Sequence, residues 1–297
     1  MNIPFIKYSK MWLFISGVAA VISVIFLIMW GLKPGIDFTG GSLMELRFAE
    51  NRPVADEIKA VFVKSGLEVS TQNSGEKILI VRTSFLDENK HQEILTNLKE
   101  VTTGDITEIS FETVGPTISQ QLKQRAWMAI VLVSLGIIIY IAYAFRKVSR
   151  PVASWKYGLL AVIALIHDLL IVIGVFALLG HFYGIEVNTP FVVALLTVLG
   201  YSVNDTIVVY DRIRENLLRR REDDFGVLVN AGLNQTLWRS VNTSFTTLLT
   251  LFALYFFGGS TIHSFVLALL IGIASGAYSS IFIASPLLVV VEKWQRK

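Results

Sequence analysis

The chain has 297 residues, 53% of them hydrophobic and 16% charged, with 26 Lys and Arg against 23 Asp and Glu. Soluble domains carry about 25% charged residues, so this composition, with a mean hydropathy of +0.59, excludes an ordinary water-soluble globule. Cysteine is absent, which excludes a disulfide framework and a thiolate metal site.

A bilayer core is crossed by about 20 apolar residues in a helix. Six runs meet this length, at 12–31, 126–145, 158–179, 189–210, 240–257 and 265–291. The first is too long for a signal-peptide core and no small-x-small cleavage site follows it, so it reads as an uncleaved anchor. Lys7 and Lys10 precede the first run, Arg146, Lys147, Arg150 and Lys156 join the second and third, and Arg212, Arg214, Arg219, Arg220 and Arg221 follow the fourth. Lys293, Arg296 and Lys297 close the chain, whereas the loops at 181–188 and 258–263 contain neither Lys nor Arg. The positive-inside rule therefore predicts cytoplasmic termini and an external segment between the first two spans. The expected division is 1–34 for the N-terminus and first span, 35–117 for an external domain, and 118–297 for a lead helix and five further spans.

The external segment opens on Gly-Ile-Asp-Phe-Thr-Gly-Gly at 35–41. Gly35, Gly40 and Gly41 permit tight turns. The phosphate-loop pattern G-x-x-x-x-G-K-[ST] is absent, so Gly35, Asp37, Gly40 and Gly41 read as a stiff turn coupling the anchor to a sheet. Residues 42–48 alternate, with Met44, Leu46 and Phe48 on one face. Pro53 starts a helix to 64 carrying Ile58, Val61 and Phe62 inward. Strands at 68–72 and 77–82 flank the turn Asn73-Ser74-Gly75, a second helix covers 88–99, and a fourth strand covers 106–114. The order βαββαβ predicts an α+β ferredoxin-like domain. It holds no nucleophile–base pair and no ligand-spaced metal cluster, so a binding or mechanical role is expected rather than an enzyme.

Gly115-Pro116 ends that domain, and 118–125 leads helically into the second span. The third span carries His167 and Asp168 near its middle, a secondary intramembrane polar site with two readings: proton handling, or an interhelical hydrogen bond that fixes packing. The fourth carries Asn204 and Asp205 before its apolar run has ended, with Thr197, Tyr201 and Asp205 at four-residue spacing on one face. An aspartate in a span costs about 2.5–3.5 kcal/mol on insertion scales and is by default a functional residue facing protein or a wet cavity. Asp211, Arg212, Arg214 and Glu215 read as a solvated interfacial face. An amphipathic helix is expected over 225–237, after which Arg239 opens span five, followed by Thr243, Thr246, Thr247 and Thr250. A permanently protonated arginine near Asp205 would hold that carboxylate ionised; as an alternative, Arg239 is a positive-inside anchor. In span six, Gly272-Ile-Ala-Ser-Gly276 is a small-xxx-small face for close packing.

The glycine motif at 35–41, the external α/β segment, Gly-Tyr-Ser-Val-Asn-Asp-Thr at 200–206 and Asp-Arg-Ile-Arg-Glu-Asn at 211–216 together resemble the SecD–SecF family of bacterial protein export, related to the resistance–nodulation–division transporters. The resemblance covers essentially the whole chain. It implies an α-helical protein of the bacterial cell membrane with six transmembrane helices and one external α+β ferredoxin-like domain between helices 1 and 2. It also implies a non-enzymatic machine that uses the proton-motive force. Its partners would be a separate SecD chain, the SecYEG channel, the SecA motor, the exported unfolded polypeptide and the lipid bilayer, with no nucleic acid. No cofactor is implied beyond the coupling ion, a proton or a sodium ion. The family's proton-passage residues map onto Asp205 and Arg239, with Asn204 and Thr243 beside them. Rival readings are a passive assembly subunit, a small-molecule transporter component, and an intramembrane aspartyl protease built on Asp168, Asp205 and Asp211; the last needs two carboxylates close enough to share a proton.

Overall fold

The computed structural model describes residues 3–49, 55–74, 76–102, 106–146, 151–219 and 224–296. Several residues used in the sequence reading, among them Pro53, Gly75, Lys147, Arg150, Arg220 and Arg221, lie outside the described residues. The chain divides into two compact units. One comprises Met1–Lys33 with Trp127–Lys297, and the other comprises Pro34–Ala126.

The smaller unit follows the βαββαβ order. Its strands are β1 (Gly41–Phe48), β2 (Val69–Ser74), β3 (Ile78–Thr83) and β4 (Ile106–Val114), and its two main helices are α3 (Ala55–Lys64) and α4 (Glu88–Val101). The strands form one antiparallel sheet in the order β2-β3-β1-β4. The alternation read from 42–48 buries Met44, Leu46 and Phe48 against Ile58, Val61 and Phe62 of α3, Ile94 and Leu98 of α4, and Leu79 and Val81 of β3. Asp87 caps α4 by accepting from the Lys90 amide at 2.9 Å, satisfying one of the free N–H groups of its first turn.

The glycine motif is more structured than a bare turn. Residues Ile36–Thr39 form a single helical turn, α2, whose Thr39 hydroxyl donates to the Gly35 carbonyl at 3.1 Å. Gly41 has φ +120, and a Cβ there would lie 2.6 Å from the Thr83 carbonyl oxygen. Both the backbone angle and the approach of β3 therefore demand glycine.

In the larger unit, α1 (Ser9–Trp30) is the first span. It is followed by α5 (Pro116–Ala144), α6 (Ser154–Tyr183), α7 (Thr189–Arg219) and α8 (Phe225–Phe257). The sixth span is α9 (His263–Ser279), a π turn over Ser280–Ala284, and α10 (Ser285–Arg296). Among the described residues, six helices are long and apolar enough to cross a membrane. The amphipathic helix expected at 225–237 and the fifth span opened by Arg239 form one continuous helix, α8. No Gly or Pro lies between Leu237 and Arg239 to interrupt the helix. The N-terminal end of α8 is instead tied to the start of the chain. The Ile3 amide donates to Asn234 Oδ1 at 2.7 Å, and Asn234 Nδ2 donates to the Ile3 carbonyl at 2.9 Å.

The core of this unit lies in two apolar clusters, to which α6, α7, α8, α9, the π turn and α10 all contribute buried side chains. α7 and α9 meet at near-backbone distance. A Cβ on Gly272 would lie 2.3 Å from Val198 Cγ2, and one on Gly276 would lie 2.8 Å from Ser202 Cβ. The small-residue face read from 272–276 is thus the surface that packs on α7, and this crossing brings polar side chains of three helices together.

Candidate functional site

Asp168 on α6 is fully buried. Its Oδ2 accepts from the Ser202 hydroxyl of α7 and the Ser279 hydroxyl of α9, each at 2.7 Å. Its Oδ1 accepts from Ser275 at 2.8 Å and lies 3.2 Å from His167 Nδ1. Three hydroxyl donors satisfy most of a carboxylate's acceptor capacity, which a buried charge requires. His167 is buried as well, and its Nε2 has no hydrogen-bond partner.

Asp205 on α7 is 8% exposed. Its Oδ2 accepts from the hydroxyl of Ser280, the first residue of the π turn. Ser202, one turn earlier on α7, thus serves Asp168, while Asp205 is served from the opposite helix.

The other expected members of the site point elsewhere. Arg239 is exposed on α8 and makes no ion pair with Asp205 or with any other described acid, so the expected contact is not formed in this conformation. Its side chain borders an open pocket of about 490 Å³ at the end of α7, together with Tyr140, Asp211, Arg212, Arg214 and Glu215. There Asp211 pairs with Arg214 at 2.9 Å, and Glu215 pairs with Arg212 and with Arg219, the latter at 2.7 Å. Such exposed i,i+3 and i,i+4 pairs contribute little and suit an interfacial face. Asn204 is exposed and borders a recess lined by Gly136, Tyr140, Gly200 and Ile207. The Thr243 hydroxyl donates to the Arg239 carbonyl at 2.8 Å, and the Thr243 carbonyl accepts from the Tyr201 hydroxyl at 3.0 Å. Thr246 and Thr250 likewise donate to carbonyls of their own helix, which satisfies these hydroxyls without a neighbour. Gly35, Asp37, Gly40 and Gly41 belong to the other unit.

Sequence reasoning singled out Asp168 and Asp205 but missed Ser202, Ser275, Ser279 and Ser280, and it did not mark Glu292, a third buried carboxylate near the end of α10. A signal was present. Ser275 and Ser279 are one turn apart in an apolar span, and hydroxyls in such a place seek interhelical partners. Among the described residues, no group of three or more His, Asp or Glu side chains could hold a metal ion. Asp205 and Asp168 are held by separate serines, so the shared-proton geometry of an aspartyl protease is not made.

Six membrane helices interrupted after the first by an antiparallel α+β domain, with two hydroxyl-bound carboxylates buried in the helical core, define a multi-pass membrane protein of the transport type. Residues 93–294 match the family model "Protein export membrane protein SecD/SecF, C-terminal", and residues 25–51 match the "SecD/SecF GG Motif". The chain belongs to the SecD/SecF protein-export family. It is 44% identical to the protein translocase subunit SecF of Thermobaculum terrenum, over 99% of this chain and 95% of that one. It is 36% identical to the protein translocase subunit SecDF of Brucella abortus, over 97% of this chain but 37% of that protein. The crystal structure of SecDF, a translocon-associated membrane protein from Thermus thermophilus, matches with a TM-score of 0.83 at 34% identity. The match covers 100% of this chain and 39% of that one.

Proposed function

We propose that this chain is an accessory subunit of Sec protein export that works with a SecD partner and is driven by an ion gradient through Asp205. The SecDF relatives, in which a matching region is part of one longer polypeptide, support the pairing with SecD. The observation that carries the coupling role is the Asp205 carboxylate itself. It is buried in a membrane helix and held by one hydroxyl, and among the described residues no cation is paired with it. Neutralising it removes the cost of keeping a charge in that place and changes how α7 sits on the sixth span. Arg239 supplies a counter-charge from α8 in another state of the cycle. An ion crossing 100 mV releases about 2.3 kcal/mol per charge, enough to shift a two-state packing by more than tenfold.

In this reading the termini are cytoplasmic, the α+β domain lies outside the bacterial cell membrane, and the coupling ion is a proton or sodium. The chain crosses between its two units between Lys33 and Pro34, just before the glycine motif, and within α5, and these crossings carry the movement. The external domain, with its SecD counterpart, holds a polypeptide emerging from SecYEG in the late steps of export, after SecA has acted.

The test is gradient-driven export in inverted vesicles, with and without an ionophore. Asp205→Asn keeps the shape of the side chain but cannot bind and release a proton near neutral pH. The assembled mutant is expected to keep ATP-driven export and to lose the gradient-dependent stimulation. Undiminished stimulation would leave the passive-subunit reading in its place.

A further inference from the structure

Ser279 and Ser280 are consecutive, fully buried, and bound to different carboxylates. Ser279 donates to Asp168 and Ser280 to Asp205. Each hydroxyl has a single hydrogen and a second acceptor within reach, the Gly276 carbonyl at 3.3 Å for Ser279 and the Ala277 carbonyl at 3.2 Å for Ser280. The π turn begins at this pair. Ser285 Oγ donates to the Ser280 carbonyl at 3.0 Å, and π turns inside α-helices occur often at functional sites.

We propose that Ser280 is the positioning residue of Asp205, that its hydroxyl hydrogen moves between Asp205 and the Ala277 carbonyl as the carboxylate changes charge, and that Asp168 anchors this pair through Ser279. This rests on the assignment of Asp205 as the ion-coupling group. An ionised carboxylate is the stronger acceptor and takes the hydrogen. When one proton from the aqueous side joins Asp205, that group becomes a donor. The Ser280 oxygen then accepts from it, and the Ser280 hydrogen turns to Ala277. No other bond forms or breaks.

Asp168 cannot follow this change. Its three hydroxyl donors come from α7 and α9 and hold the backbone at Ser279 in place, so the rearrangement is confined to the Ser280 hydroxyl and the turn that starts there. Phe282 in that turn packs on Phe5 and Trp12, with ring centroids 5.8 and 4.5 Å away, and this gives the turn contact with the first span. The elements packed around α7 and the π turn carry, among their titratable and charged groups, Tyr157, His167 and Asp168 on α6, Arg239 on α8, Tyr278 on α9 and Glu292 on α10. On α7 itself they are Tyr201, Tyr210 and Asp211. Asp168 alone is joined to a serine adjacent to Asp205's partner.

The test compares Ser280→Ala, Ser280→Thr, Ser279→Ala and Asp205→Asn in the full chain, assembled with its SecD partner in inverted vesicles. Ser280→Ala is expected to keep ATP-driven export, to lose about tenfold or more of the gradient-driven rate, as for a hydrogen bond to a charge, and to displace its pH profile. Ser280→Thr keeps the hydroxyl and restores the rate and the profile, which a merely space-filling role would not require. Ser279→Ala displaces the profile less. An assembled Ser280→Ala complex with the wild-type rate and profile, beside an inactive Asp205→Asn, overturns this inference alone. Full gradient-driven export by Asp205→Asn overturns both this inference and the function on which it rests.

Discussion

Tyr201 and Asp205 stand one helical turn apart on α7, yet they serve different neighbours. The Tyr201 hydroxyl reaches α8, at 3.0 Å from both the Thr243 carbonyl and Thr247 Oγ1, while Asp205 turns to Ser280 at the π turn. A single row of side chains thus ties α7 to the fifth and sixth spans, and the charged member is the one facing the core.

The lack of a contact between Asp205 and Arg239 predicts two different outcomes for one double-mutant cycle. In thermal unfolding of the purified complex, Asp205→Asn and Arg239→Met should add to within about 0.3–0.5 kcal/mol, as sites without shared partners do. In gradient-driven export the double mutant should be no worse than the poorer single mutant, because both act in one cycle. Strong coupling in the unfolding measurement would show that the pair is already formed at rest.

The α7–α9 crossing predicts a steep size limit at one glycine. Gly276→Val places its side chain against Ser202 and should cost about 1–3 kcal/mol through overpacking, read as a lowered melting temperature. Gly200→Ala is the control. Nothing lies within 4 Å of its Cβ, and alanine favours the helix by up to about 1 kcal/mol. Equal losses at both positions would contradict the close crossing.

A similar limit applies in the smaller unit. Gly41→Ala meets the Thr83 carbonyl and an unfavourable φ, so both strain and loss of β1–β3 pairing are expected. Gly66→Ala has the same sign of φ, +73, but open space around it, and should lose only the conformational part, about 1–2 kcal/mol. Amide exchange at Met44 and Val81 should rise markedly in the first variant and little in the second.

The proposed orientation is checked by labelling, for which the cysteine-free chain is a clean background. Ser65→Cys and Gly259→Cys, both exposed, should react with an impermeant thiol reagent outside intact cells. Arg219→Cys and Lys293→Cys should react only after permeabilisation. The opposite pattern would reverse the topology and the direction of the ion path.

Composition and periodicity alone determined much of this protein. Long apolar runs marked the six spans because a bilayer requires about 20 such residues in each. Strict alternation at 42–48 and helical spacing at 58–62 marked the ferredoxin-like core, because periods of 2 and 3.6 are local properties of the chain. Asp168 and Asp205 stood out for the same local reason, as carboxylates in apolar surroundings. Their partners were decided only by the tertiary structure. Ser202, Ser275, Ser279 and Ser280 are unremarkable residues in membrane helices until the contacts of Gly272 and Gly276 bring α9 onto α7. Asp205 and Arg239, with opposite charges at similar expected depths, suggested a pair. Depth along a helix does not specify the direction a side chain takes around it, and the packing of α7 turned Asp205 inward while Arg239 remained on the outer face of α8.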